Sequence, residues 1–253
     1  MRTANVNIGR GLGRAAVVAM LIASTGMVAG SARAETHAPP VGSLACPANL
    51  AQSLRSTGSA TQIVTVRAST FGTTYATLRT WHKSGGCWSA VTGRWTARIG
   101  RGGLSDHHRE GDGTTPTGAY AIGSVMYGIA PNPGVHYSYH HLVCGDWWDE
   151  DPNSPHYNSF QHVTCGRTPP FGGASEALWK ETTAYRSFAV IRYNMNPAVP
   201  GRGSGIFLHD DVGGPTAGCV SLPPSELIAV LRWLQPGSSP LVVIGTSGEI
   251  RGF

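Results

Sequence analysis

The sequence predicts a mostly-β fold, a sandwich or barrel of short strands with few helices. Three observations carry this. Short runs rich in β-branched and aromatic residues recur along the chain, each bounded by Gly or turn-forming residues. Only two later segments carry a strong helical pattern. The composition, 34 Gly and 17 Pro with 13% charged residues, suits a chain of turns and buried strands rather than charged helical surfaces.

The first segment reads as an address. Residues 1–14 hold Arg2, Arg10 and Arg14 without an acid, residues 15–23 (AAVVAMLIA) are apolar, and small residues lead to Ala32-Arg33-Ala34. This order of charged, apolar and A-x-A segments is a secretory signal, so removal of 1–34 and a working place in the cell envelope are expected. The apolar part falls short of the roughly 20 residues that a membrane span needs. No later stretch is long and apolar enough, so no span is expected after cleavage. A lipoprotein reading of Cys46 fails, because Leu44 is misplaced and the apolar run lies far upstream. Residues 35–45 read as a flexible lead-in.

Four of the 19 Lys and Arg, and none of the 14 Asp and Glu, precede residue 35, so the net charge of +5 shrinks to about +1 in the remaining chain. A nucleic-acid partner, which calls for a basic stripe, is not expected. The mature length suits one sizeable domain or two small ones.

Element by element, residues 46–89 are expected to form a short helix (47–56) and N-terminal strands packed on the core. Strand-like runs fall at 61–67, 74–82, 87–91 and 94–99, then at 119–123, 187–193, 205–209 and 241–245. A helix is predicted at 175–185, opened by Ser175 and Glu176. Another is predicted at 224–235, where Leu227, Val230, Leu231 and Leu234 repeat on one face. Residues 131–173 hold Pro, Asn, His, Trp and acids with little periodicity. A segment of this length without elements is functional or disordered, and it reads as a loop-built lid stapled by a disulfide.

Five cysteines remain: Cys46, Cys87, Cys144, Cys165 and Cys219. Export places them where disulfides form. Several pairings are open, and proximity in the chain favours Cys144–Cys165 and Cys46–Cys87, which leaves Cys219 free.

The segment 205–222, GIFLHDDVGGPTAGCVSL, concentrates the chemistry. An apolar strand delivers His209, a Gly/Pro turn follows, and Thr216-Ala217-Gly218-Cys219 leads into apolar Val220. A catalytic thiol needs a nearby base, amide donors for the oxyanion and an accessible sulfur. The turn can fold Cys219 back beside His209, Gly218 lets a substrate approach the backbone, and the amides of Gly218 and Cys219 can serve the oxyanion. Asp210 is a candidate for orienting the imidazole, through its carbonyl or its carboxylate. No His follows Cys219, which excludes a papain-like order.

At these residues the chain resembles the L,D-transpeptidase catalytic domain family, whose signature is a strand-end His followed by Ser/Thr-x-Gly-Cys and an apolar residue. Here these are His209, Thr216, Gly218, Cys219 and Val220. A second family element, Thr-Pro-x-Gly before a strand, stands as Thr115-Pro116-Thr117-Gly118. The resemblance covers about 90–246, with 131–173 as an insertion. It implies a β-sandwich with few helices and cysteine-dependent acyl transfer on peptidoglycan stem peptides. Cys219 would attack a diamino-acid carbonyl, expel D-alanine and pass the acyl group to a second stem's amine or to water. The resemblance also implies carbapenem-type inhibitors as ligands, and no cofactor or metal. Two features depart from the family: the His-to-Cys spacing is shorter, and Ser221 stands where the family has Arg or Asn. Substrate recognition therefore passes to Ser221 itself, to Arg202 or Arg192, or to Trp147 and Trp148.

Other groups weigh less. His136, His140, His141, His107 and His108 are zinc-type residues without an H-E-x-x-H pattern, and read as solvated or lid-packing. Asp149-Glu150-Asp151 could bind Ca²⁺ or, beside Trp147 and Trp148, contact sugar or peptide, and a solvated loop is an equal reading. A sortase-like enzyme would use His156 or His162 with Arg232, but the expected Thr-x-Thr-Cys strand is absent. A secreted wall-binding module is the reading without catalysis, and labelling of Cys219 by a carbapenem separates it from the enzyme.

Overall fold

A computed structural model describes residues 45–253; the expected signal 1–34 and lead-in residues 35–44 lie outside the described residues. The strands are β1 (Gln62–Ala68), β2 (Tyr75–Ser84), β3 (Cys87–Ala90), β4 (Trp95–Arg98), β5 (Leu104–Ser105), β6 (Thr115–Pro116), β7 (Gly118–Gly128), β8 (Ser138–His141), β9 (Asp146–Asp149), β10 (Ser159–His162), β11 (Glu176–Ala177), β12 (Phe188–Ile191), β13 (Phe207–Asp210), β14 (Val220–Leu222) and β15 (Leu241–Thr246), with helix α1 (Pro224–Trp233). The main sheet runs β1-β15-β7-β12-β13-β14-β4-β2-β3, and β2 also pairs with β1. The path therefore closes on itself, and a sandwich whose edges join leaves few unpaired strands.

The predicted mostly-β class holds, and the physical reason is alternation. Along β13 and β14, Leu208, Val220 and Leu222 turn into the main core with Val64, Leu78 and Ile99. Leu227, Val230, Leu231 and Leu234 of the α1 segment close the same core. Each such side chain contributes roughly 1.5–3 kcal/mol on full burial. Pro224 can open the helix because the first helical N–H has no intrahelical acceptor. The helix thus braces β13 and β14, the two strands that carry the candidate chemistry.

Three expectations are corrected. The helix predicted at 47–56 is a single 3-10 turn, Ala51–Ser53, held by the Asn49 side chain, which accepts from Gln52 N at 2.9 Å and donates to Trp88 O at 2.8 Å. The helix predicted at 175–185 does not form. Glu176 and Ala177 pair with Trp148 and Trp147 as β11, and Ser175 spends its hydroxyl on Gly172 O and Glu150 N instead of capping a helix. Tertiary pairing overrides local helical preference here. The insertion 131–173 is not loop-built: it supplies β8 to the main sheet and, with β11, forms the three-stranded sheet β10-β9-β11. Cys144–Cys165 and Cys46–Cys87 are disulfides, and Cys219 is a free, buried thiol.

Candidate active site

β13 and β14 run parallel, with Leu208 opposite Val220 and His209 opposite Ser221. Side chains two apart on a strand share a face. Phe207, His209, Cys219 and Ser221 therefore lie on the face opposite the main core, and Phe207 and Cys219 pack in a second apolar cluster with Trp148, Leu178, Tyr185 and Phe188. One strand pair thus presents thiol and imidazole to the same side.

The turn before Cys219 is pinned from below. Thr216 N donates to Ile99 O at 3.0 Å, and Arg101 N donates to Thr216 O at 2.8 Å. Two hydroxyls hold the Cys219 carbonyl: Thr216 Oγ1 at 2.6 Å and Thr115 Oγ1 at 3.4 Å. Thr115 also accepts from Gly100 N at 2.8 Å, so the Thr-Pro-x-Gly turn and the cysteine turn, distant in sequence, share one network. Gly218 N donates to Thr216 Oγ1 at 3.2 Å. A Cβ on Gly218 would sit 3.0 Å from Thr114 O and 3.2 Å from Ile206 Cδ1, so glycine permits the close packing there. Ala217 is exposed at the cavity edge.

Cys219 is 7% exposed. Its Sγ–H donates to Gly205 O at 3.1 Å and the sulfur accepts from Phe207 N at 3.3 Å. Burial, then the nearby Glu176 charge, pushes the thiol far above its ordinary range. His209 is 5% exposed, and burial pushes its imidazole down to about 4. His209 Nδ1 lies 2.8 Å from Asp210 O. A carbonyl only accepts, so Nδ1 carries the hydrogen and Nε2 keeps the free lone pair. Of the two orienting routes expected for Asp210, the carbonyl is the one used; its carboxylate accepts from Ser187 N at 3.3 Å. Tyr185 meets the imidazole edge-on, with ring centroids 5.7 Å apart. Among the described residues, no hydrogen bond joins Cys219 to His209.

Both residues line a cavity of about 420 Å³ together with Thr216, Ala217 and Gly218. Cavities of about 440 and 640 Å³ lie on other faces and hold no thiol; chemistry, not size, selects the first. The substrate-binding candidates do not gather here. Ser221 is fully buried, and its Oγ has no hydrogen-bond partner among the described residues. Trp148 is a core residue, packed on Phe207 at 5.0 Å and donating to Asn158 Oδ1 at 3.0 Å. Trp147 faces away, against Phe171 and Trp179, because alternation along β9 sends neighbours to opposite faces. Arg202 is exposed, and neither it nor Arg192 lines the cavity.

What sequence reading missed is the rest of the cavity's lining, which includes His108, Glu110, Glu150, Glu176 and Tyr185. His108 is buried rather than solvated: its Nδ1 lies 2.9 Å from Thr114 Oγ1 and 3.1 Å from Asp112, and its Nε2 has no partner. Glu150 is buried, not part of a solvated loop. The signal available was alternation: Trp148 and Glu150, two apart, point the same way. His140 and His162 pair with Asp146 at 2.8 and 2.7 Å and so belong to the packing of the insertion.

A free thiol and an imidazole with a fixed tautomer thus line one cavity on a closed β-fold. The family model for the L,D-transpeptidase catalytic domain (YkuD) matches residues 64–244, and the chain belongs to that family, whose members are in general cysteine-dependent transpeptidases acting on peptidoglycan stem peptides. The match begins within β1, so it takes in strands that the sequence reading grouped apart at 46–89. No match was found among curated proteins or among solved structures. No described helix is long and apolar enough to cross a membrane.

Proposed function

We propose that this protein transfers peptidoglycan stem-peptide acyl groups through Cys219, with His209 as the general base. The observation that carries the reading is the shared face of β13 and β14, which turns Cys219 and His209 into one cavity while Asp210 O fixes the imidazole tautomer. The Sγ proton passes to His209 Nε2 as the sulfur attacks the carbonyl of a diamino-acid residue. The tetrahedral intermediate collapses, the C–N bond breaks, and the departing D-alanine amine takes the proton from His209. A second stem's amine then resolves the thioester into a cross-link; water in its place gives L,D-carboxypeptidation.

Burial disfavours both the isolated thiolate and the isolated imidazolium. Proton transfer between the two creates opposite charges together, and each offsets the other's desolvation. This favours base-assisted attack over a standing thiolate. The exported setting expected from residues 1–34 and the two disulfides accord with work on the wall.

Incubation with a carbapenem tests the reading. The expected result is a stoichiometric mass gain mapped to Cys219. Absence of labelling in folded protein overturns acyl transfer in favour of a wall-binding module. Mass spectrometry of digested wall fragments then reports cross-linked against trimmed products.

A further inference from the structure

The insertion brings an ionisable group to the cavity that the acyl-transfer steps leave unused. Glu150 follows β9 directly and is 9% exposed. It lines the cavity with Cys219; among the described residues its carboxylate finds no hydrogen-bond partner, whereas its backbone N–H donates to Ser175 Oγ at 3.0 Å. A carboxyl group this buried is ordinarily satisfied. Its neighbours do not satisfy it, because they are carboxylates too. Burial, then Glu176 and Glu110, push Glu150 well above the usual range. Tyr185 OH already donates to Glu176, and Ser204 Oγ donates to Glu110 at 2.7 Å. Glu150 alone of the three faces the cavity unpaired.

Its position relative to the sulfur is fixed by Gly205. A Cβ there would fall 1.9 Å from Glu150 Oε1 and 3.7 Å from Trp148 Cδ1, so the carboxyl group lies hard against this residue. The carbonyl of the same residue accepts the Cys219 Sγ–H at 3.1 Å. One glycine thus touches both groups. Among the described residues, no group of three His, Cys, Asp or Glu side chains is arranged to hold a metal ion. What fits an unpaired carboxyl group, set among other carboxylates beside a thiol, is a donor-rich organic cation.

We propose that Glu150 is the docking point for a primary ammonium group on a peptide side chain. This group returns one proton to the Glu150 carboxylate, attacks the Cys219 thioester carbonyl as the free amine while His209 Nε2 takes its second proton, and breaks the C–S bond as that proton passes on to the Cys219 sulfur. The inference rests on the acyl-transfer reading for its second half, whereas the binding half stands alone. It assigns a task to the insertion: the family core supplies the thiol and the base, and the insertion supplies acceptor recognition. It also accounts for the missing cation at Ser221, since a site that reads an amine calls for a carboxylate.

The test uses the chain carrying Cys219→Ala, which binds without reacting. A stem tripeptide with a free side-chain amine, and the same peptide acetylated on that amine, are titrated by calorimetry. The free amine is expected to bind at least about tenfold tighter, the worth of one charge-assisted hydrogen bond, and adding Glu150→Gln is expected to erase the preference. Equal binding of the two peptides, or a preference that survives Glu150→Gln, overturns the proposal. If the Gln variant does not fold, the peptide comparison with Glu150 intact decides alone. Mass gain on Cys219 is read separately: its failure removes acyl transfer and leaves the amine site standing.

Discussion

The cysteine turn and the insertion reach the same cavity by opposite means. The turn is largely local: fewer than twenty residues hold strand, turn and strand, and Thr216 within it, joined by Thr115 from the distant Thr-Pro turn, ties the Cys219 carbonyl down. The insertion is assembled from distant parts: a disulfide, a three-stranded sheet and a buried Trp148 that anchors it to Phe207. The difference teaches where motif reading reaches. A site built from contiguous residues leaves a pattern in the sequence; one built by packing does not.

Substitutions in the two regions should separate chemistry from stability. The largest effect is expected at Cys219: Cys219→Ala and Cys219→Ser should abolish acyl-enzyme formation by mass spectrometry, with circular dichroism unchanged, because a hydroxyl held there is a far weaker nucleophile than a thiol. His209→Ala should slow acylation by about two to four orders of magnitude, the usual worth of a general base. The loss should shrink as pH rises, and only well into the alkaline range, since burial raises the thiol. A full-rate His209→Ala protein would pass the base role to His108, the other buried imidazole of the cavity.

In the insertion the order should reverse, with stability lost before chemistry. Trp148→Ala should destabilise by about 3–5 kcal/mol, as expected for emptying a core indole site, whereas half-buried Trp147→Ala should cost clearly less in the same urea titration. Replacing Cys144 and Cys165 by Ser opens a loop spanning 21 residues and should cost about 3 kcal/mol on the chain-entropy model. If Trp148→Ala instead kept full stability and lost activity, the insertion would be a substrate wall and not a packed layer.

A smaller, pH-dependent effect runs in opposite directions in the two regions. Folded His209 sits near 4 against an ordinary 6.5. Between these values the unfolded chain binds a proton that the fold refuses, so this contribution to stability is lost as pH falls. Glu150 is raised: the fold keeps a proton that the unfolded chain releases, so its contribution is lost as pH rises above the ordinary carboxylate range. Melting temperatures should therefore respond less to acid in His209→Ala than in the parent, and less to a rise from mildly acidic pH through neutrality in Glu150→Gln.

These contrasts also show what was legible. Period-two runs located the main strands, and Leu227, Val230, Leu231 and Leu234 located α1, because burial on one face leaves a repeat. The family signature brought out Cys219, His209 and Thr115. The predicted helix at 175–185 failed because its backbone partner, β9, lies in an aperiodic stretch whose pairing could not be read locally. Trp148 reads in sequence as a candidate substrate contact because an aromatic beside an acidic run carries no mark of burial. The two-residue step from Trp148 marks the direction of Glu150, but Glu150 and Glu176 meet only once β9 and β11 have paired, so no local spacing announced their meeting.

The hydrogen bond from Cys219 to Gly205 has a consequence for the life of the thiol before it meets a substrate. The surroundings that join Cys46 to Cys87 and Cys144 to Cys165 also convert exposed thiolates to sulfenic acids and mixed disulfides, at rates that follow thiolate fraction and access. A sulfur held protonated against a carbonyl, with almost no surface, offers little of either. Once the chain is folded, the fifth cysteine is thereby shielded from disulfide exchange and oxidation, and keeps its thiol beside two finished disulfides.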